Sequence, residues 1–298
     1  PCPPTNFKQA LIPLGAEALM NPVGTAPGIF WDSPEGFPGK QIVLLPGVPR
    51  EMKRMWEDHV EPLLLPSEPI HTLRMLVGSI GESALDERTT PLRQAHGHLD
   101  WAILASLGLV ELVAHSRDAA ALEAARVAFE LELGADRICT GSGTLESTVL
   151  KRLQQKGETL ALAESMTGGR VAALLTAVPG SSAAFLGGAV VYSAKAKTQL
   201  VDLPDDLLRA HGTVSETVTR ALAEGIRHRL GADWGLAITG NAGPTEDRDG
   251  SAPLGTSFIA VAGPGGTVSL ESHFPGQRID VQVRTTNQAL DFLRRAMA

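Results

Sequence analysis

Cysteine is scarce in this chain of 298 residues. Cys2 and Cys139 lie far apart and in no metal-ligand spacing. That excludes a disulfide framework and makes a reducing cytoplasm the expected compartment. Long apolar runs are lacking too. No stretch reaches the roughly 18 residues that a membrane-spanning helix needs, and the opening "PCPPTNFKQ" has no signal-peptide pattern. A basic excess is also missing, since 33 acidic residues against 26 basic ones give a formal charge of -7. Nucleic-acid affinity comes mostly from neutralised phosphates, so a nucleic-acid partner is not expected. No initiating Met is present, and the first residues are proline-rich. The chain is therefore expected to begin partway into a domain.

What is present can build a core. Apolar residues make up 43% of the chain, and the length alone suggests about two domains. Residues 1–65 read as an incomplete α/β piece. "KQALIPLGAEALMNPVGTAPGIFW" gives a strand, a Gly/Pro loop and a strand. A strand Gln41–Leu45 and a helix from Arg50 to Leu64 follow, with Met52, Met55, Trp56 and Val60 on one face. Pro66 and Pro69 mark a linker. Residues 66–140 read as a small α+β domain of order β-α-β-β-α. Its hairpin is "DWAILASLG"/"LVELVAHS", and its last helix has Asp118 as N-cap and Gly134 beyond its end. Residues 141–298 alternate helices and strands and then place two strands in succession. That pattern predicts a mixed sheet with helices on both faces, a three-layer α/β/α domain. Thr213 three residues before Glu216 has the spacing of a capping box.

The stretch "ALAESMTGGRVAALLT" carries the chemistry. A strand ending at Ala163 puts Ser165 at the carboxyl edge of a sheet, where open α/β sheets bind ligands. The helix that follows begins near Gly168 and aims its first N–H groups at the same place. Two readings fit this stretch by itself: Ser165 or Thr167 caps the helix, or Ser165 is an exposed nucleophile on a strand-to-helix turn. A nucleophilic Ser needs a base. None of the eight histidines sits in a suitable turn; His211 and His228 lie beside or on a helix. "GGAVVYSAKAKTQL" offers Tyr192 and Lys197 five residues apart just after a strand, where one turn of helix would bring both to the same cleft, with Lys195 beside them. Solvated helix lysines are the plain alternative.

The ordered motifs from Leu160 to Phe274 and beyond are "ALAESMTGGRVA", "VPGSSAAFLGGAVVYSAKAKTQLV", "HGTVSETVTRALAEG", "GADWGLAITGNAGP", "PLGTSFIAVAG" and "HFPGQR". Together they resemble the C-terminal domain of the CinA family. Upstream, "NPVGTAPG" and "LLPGVPREM" resemble the end of the molybdopterin-binding (MoaB/MogA-like) domain, and 66–140 matches the connecting, KH-like domain. The resemblance implies a nicotinamide mononucleotide (NMN) deamidase. Ser165 would be the nucleophile, Lys197 the base, and Tyr192 a proton relay or a support for Lys197. N–H groups around Thr167, Gly168 and Gly169 would bind the oxyanion. Ser181 and Ser182 of "PGSS", with Arg278, would hold the substrate phosphate, and Gly240 and Gly243 of "TGNAGP" would line the pocket. No metal and no cofactor are implied, the partner is the nucleotide substrate, and the family forms homodimers. The ADP-ribose pyrophosphatase activity attached to the family's first domain is not carried over, because its Gly-rich motifs are absent here. Four positions depart from the family pattern: Ala194 for Asn, Asn241 for Ile, Ala252 for Lys and Gln277 for Asp. A competing reading takes "GSIG" at 78–81 as the Gly-x-x-Gly loop of an RNA-binding module. A third takes residues 1–65 as a nucleotide-binding remnant kept for packing.

Overall fold

The computed structural model describes residues 11–64, 69–245 and 252–298. Cys2, the "PCPPTNFKQ" stretch and Pro66 lie outside the described residues. Contacts divide the chain into two compact units, Pro1–Pro69 and Ile70–Ala298.

In the first unit β1 (Glu17–Leu19), β2 (Gly28–Asp32) and β3 (Gln41–Leu44) form an antiparallel sheet in the order β1-β2-β3. Residues 11–14 are not a strand; β1 begins beyond Gly15. Helix α1 (Pro49–Met55) is shorter than expected. A π-type turn over Trp56–Val60 and a 3-10 turn over Glu61–Leu63 follow it, because Pro62 has no N–H with which to continue an α ladder. Among the described residues Leu19, Met55 and Val60 form the buried cluster there, with Phe30, Val43 and Leu45 against it. That is the small core expected of one α/β edge.

The second unit starts with β4 (His71–Gly78), α2 (Glu82–Ala95), β5 (Asp100–Ser106), β6 (Leu109–Ser116), α3 (Ala119–Leu133) and β7 (Arg137–Thr140). The sheet is antiparallel in the order β5-β6-β4-β7. Its core holds Met75, Leu85, Leu112 and Phe129. The Asp118 carboxylate caps α3 by accepting from the N–H groups of Ala120 and Ala121, as its position predicted. The four residues of β7 are too few to show an alternation in sequence.

The rest of the unit runs α4 (Leu145–Lys156), β8 (Leu160–Glu164), α5 (Arg170–Thr176), β9 (Phe185–Val190), α6 (Ala194–Val201), α7 (Asp205–His211), α8 (Glu216–Leu230), β10 (Trp234–Gly240), β11 (Thr256–Gly263), β12 (Gly266–His273) and α9 (Arg278–Ala296). The sheet order is β12-β11-β10-β8-β9, with β8 parallel to both β9 and β10 and the last two strands antiparallel. The sequence of β8, Leu-Ala-Leu-Ala-Glu, explains the layering. Leu160 and Leu162 face a core with Leu150 of α4, Val171 of α5 and Leu290 of α9. Ala161 and Ala163 face the other way, toward Val201 of α6, Leu208 of α7 and Leu222 of α8. Small residues on that side let α8 come close; a Cβ on Gly235 would meet the Ala223 carbonyl oxygen at 2.1 Å. This is the three-layer arrangement predicted. The cap of α8 differs from the prediction: Ser215, not Thr213, accepts from the Val218 N–H.

The two sheets of this unit share a seam. Leu76 of β4 and Ile138 of β7 join the core around α4 and α9. Asp291 of α9, 1% exposed, accepts from Ser79 Oγ at 2.5 Å and from Arg294 and Arg295 at 2.7 and 2.9 Å. Arg294 reaches the Ala135 carbonyl at 2.6 Å. The "GSIG" loop thus lies between a strand and a helix, with its Ser bonded to a carboxylate, unlike a loop that grips phosphates between two helices. Among the described residues no helix is long and apolar enough to cross a membrane.

Candidate active site

Because β8, β9 and β10 are parallel, their carboxyl ends share one edge of the sheet, and Ser165 stands there one residue past β8. Its neighbour Glu164 is 2% exposed. The Glu164 carboxylate accepts from the N–H groups of Gly169 and Val171, both at 3.1 Å, and of Ala172 at 2.9 Å. It caps α5, offsetting its own burial with three charge-assisted bonds at a helix N-terminus. Gly168 and Gly169 take φ of 64° and 95°, which glycine adopts without strain. The Gly168 N–H bonds the Ser165 carbonyl at 3.1 Å. Both glycine donors are therefore engaged, and the expectation that they bind an oxyanion does not hold, because a carboxylate already occupies the start of α5. Thr167 is buried, lies outside the cavity described below, and its Oγ1 has no partner among the described residues.

Lys197 arrives from α6. Ser193 caps that helix by accepting from the Ala196 N–H at 3.1 Å, and the next residue, Lys197, points inward. Its Nζ donates to the Val191 carbonyl at 2.9 Å and to Ser165 Oγ at 3.3 Å. Lys197 is 1% and Ser165 6% exposed, while Lys195 is exposed. Tyr192 stands at the rim, 61% exposed. Its hydroxyl accepts from Arg278 at 2.7 Å, and the second terminal nitrogen of Arg278 donates to the Gly243 carbonyl at 2.5 Å. Ser165, Lys197, Tyr192, Thr213, Gly240 and Arg278 all line a cavity of about 130 Å³. A second cavity of about 420 Å³ shares Ala242 and Arg278 with it and adds Gly243, Pro244, His273 and Phe274. Gly240 is required by close approach: a Cβ there would meet Met166 Sδ at 2.4 Å and the Thr256 carbonyl at 2.6 Å.

Ser181 and Ser182 are not at this site. They precede β9, beside the start of β8, where the Leu160 N–H bonds the Ala184 carbonyl. Tyr192 follows β9, so the six-residue strand, roughly 20 Å long, separates them from the cavity. In a parallel pair the loop entering a strand always lies at the edge opposite the carboxyl ends. The departures from the family pattern have local roles. Asn241, 4% exposed, ties its loop together: its Oδ1 accepts from the Gly243 N–H and its Nδ2 donates to the Ala252 carbonyl. Ala252 is buried. Gln277 gives its N–H to Asp280 at the start of α9. Ala194 is exposed.

Three contributors escaped the sequence reading. Glu164 has no capping-box spacing to reveal it. Thr213, at capping-box spacing from Glu216, lines the cavity instead. Gln282, four residues along α9 from Arg278, donates to the Met166 carbonyl at 2.7 Å; its helical register with Arg278 was the only available signal.

Comparison with known proteins agrees with this architecture. The family model described as CinA C-terminal domain matches residues 142–297. The chain is 42% identical over 306 residues to a CinA-like protein of Parasynechococcus marenigrum, covering 99% of this chain and 72% of that protein. It is 40% identical over 307 residues to a CinA-like protein of Acidobacterium capsulatum, covering 98% and 72%. Among solved structures, a competence-damaged protein (CinA) superfamily protein from Klebsiella pneumoniae is 32% identical with a TM-score of 0.50, covering 51% of this chain and 95% of that one. Identity of this extent, with a domain model over the half that holds Ser165 and Lys197, makes the chain a member of the CinA family.

Proposed function

We propose that the chain is an amidohydrolase that converts NMN and water to nicotinate mononucleotide and ammonia. One observation carries the proposal: a buried Lys197 Nζ stands 3.3 Å from the oxygen of Ser165 at the floor of a polar cavity. A serine hydroxyl becomes a nucleophile when a neighbouring base takes its proton, and a Lys withdrawn from water loses the hydration that favours its ammonium form. Ser165 Oγ attacks the carboxamide carbon while its proton passes to Lys197. The intermediate collapses, the C–N bond breaks, and Lys197 returns the proton to the departing ammonia. Water then attacks the Ser165 ester, with Lys197 again as base, and frees the carboxylate product.

The pyridine carboxamide would enter the smaller cavity. The phosphoribosyl group would extend into the larger one, where the Arg278 guanidinium makes no ion pair among the described residues and His273 adds a second donor. Of the phosphate contacts expected from the sequence, Arg278 remains and Ser181 and Ser182 drop out. Tyr192 orients Arg278 at the rim. The test is ammonia release from NMN by the purified chain, with free nicotinamide as the comparison. Release from NMN and none from nicotinamide is expected; equal release from both would contradict a phosphoribosyl subsite, and release from neither would contradict the activity.

A further inference from the structure

Attack by Ser165 drives an electron pair onto the amide oxygen, and preorganised donors at that oxygen supply the largest single part of such catalysis. The start of α5 cannot provide them, since the Gly168 N–H is bonded to the Ser165 carbonyl and the Gly169 N–H to the Glu164 carboxylate. Among the residues that line the same cavity as Ser165 and Lys197, Met166 and Ala242 stand two residues beyond the ends of β8 and β10, and each carries a backbone N–H. Neither N–H has an acceptor among the described residues. They sit on adjacent strand exits. The Ser165 N–H bonds the Ile238 carbonyl at 3.0 Å, which holds the turn after β8 beside the loop after β10.

Both exits are fixed by bonds that leave these two donors untouched. Gln282 Nε2 clamps the Met166 carbonyl at 2.7 Å. Asn241 anchors the other loop through its own N–H to Thr256, through Gly243 and through Ala252. A donor from the residue after a strand-end serine, joined by one from a neighbouring loop, is a geometry that stabilises tetrahedral oxyanions on α/β sheets.

We propose that the N–H groups of Met166 and Ala242 form the oxyanion hole of this site, with Gln282 as the positioning residue that holds the Met166 turn. This assignment rests on the amide-hydrolase reading. When the Ser165 Oγ–C bond forms, the carbonyl π pair moves to the oxygen and is held by the two N–H groups. When the C–N bond breaks, the pair returns and the donors are released.

The test replaces single backbone N–H groups by oxygen in the full-length chain, using the α-hydroxy analogues of Met166, Ala242 and Thr167. Because neither proposed donor has an acceptor among the described residues, these esters keep the fold, which a melting curve checks. The expected result is a loss of about 100-fold in kcat for ammonia release at 166 and at 242, with KM nearly unchanged and the Thr167 analogue active. Gln282→Leu provides a second route that needs no backbone chemistry. It is expected to lower kcat about tenfold with KM unchanged, since it loosens a donor used in the transition state and not in the ground state. An active wild type whose 166 and 242 esters keep kcat within about twofold overturns the hole alone. Loss confined to the Thr167 ester returns the oxyanion to the α5 turn and likewise overturns it. A folded wild type that releases no ammonia overturns the amidase reading and the hole with it.

Discussion

Lys195 and Lys197 share one short helix, yet only Lys197 reaches Ser165. Two residues along an α-helix turn the side chain by about 200°, so Lys195 meets solvent while Lys197 is driven under the turn of Ser165. Lys197→Arg keeps a positive charge but cannot give up its proton in the working range. It is expected to cost at least about 10³-fold in kcat/KM, whereas Lys195→Ala stays within about twofold. For the wild type, kcat/KM should climb with pH through an apparent pKa well below the value of about 10.4 for a solvated Lys. A steady-state pH profile of the three proteins decides the assignment, and an active Lys197→Arg beside an inactive Lys195→Ala would reverse it. The pairing of Ser165 with Lys197 was legible only through the order of motifs, because a separation of 32 positions hides it from any local pattern. Glu164 was not legible, since its capping bonds depend on how the Gly168–Gly169 turn folds back over the strand end.

Among the elements, α9 links the site to the seam between the two sheets. Its first residue, Arg278, is at the cavity, and its last turns hold the seam to β4 and β7 through Asp291, Arg294 and Arg295. Asp136 belongs to the same seam. Burial pulls its pKa up, but hydrogen bonds from the guanidinium groups of Arg88 and Arg295 outweigh this and lower it. A carboxyl whose folded pKa is depressed contributes stability above its unfolded pKa of about 3.9, and that contribution is lost as the pH falls through the folded value. Asp136→Asn should therefore lose about 1–2 kcal/mol at pH 7, and the gap to wild type should close as the pH falls below about 4. Denaturant melts across that range measure it; a gap independent of pH would contradict the ion-pair account. Most elements were readable in advance, as with α4, α9 and the β5–β6 hairpin, where periodicity, caps and turn residues agree. The misses were short or punctuated. β7 has four residues and α7 seven, and the stretch after α1 carries Pro62.

For the whole molecule, the division at residues 69 and 70 separates a weakly cored piece from the unit that holds the site. A fragment of residues 70–298 should match the full chain in ammonia release, as no assigned residue lies before it. A fragment of residues 141–298 should keep the activity, because Ser165, Lys197 and the residues that line their cavity all lie within it. It should melt roughly 5–10 °C lower, because removing Leu76, Ile138 and Ser79 uncovers core and strips Asp291 of a partner. Equal melting temperatures for the two fragments would contradict the seam. The central claim is that Ser165 is the nucleophile of an amide hydrolysis. Its most direct test is the rate of ammonia release from NMN by Ser165→Ala beside the wild type. The substitution removes one oxygen at a turn and leaves the backbone bonds of Ser165 in place, so the variant should fold and melt like the wild type while its rate falls by several orders of magnitude. A folded variant that retains a tenth of the wild-type rate would mean that water attacks the amide without Ser165.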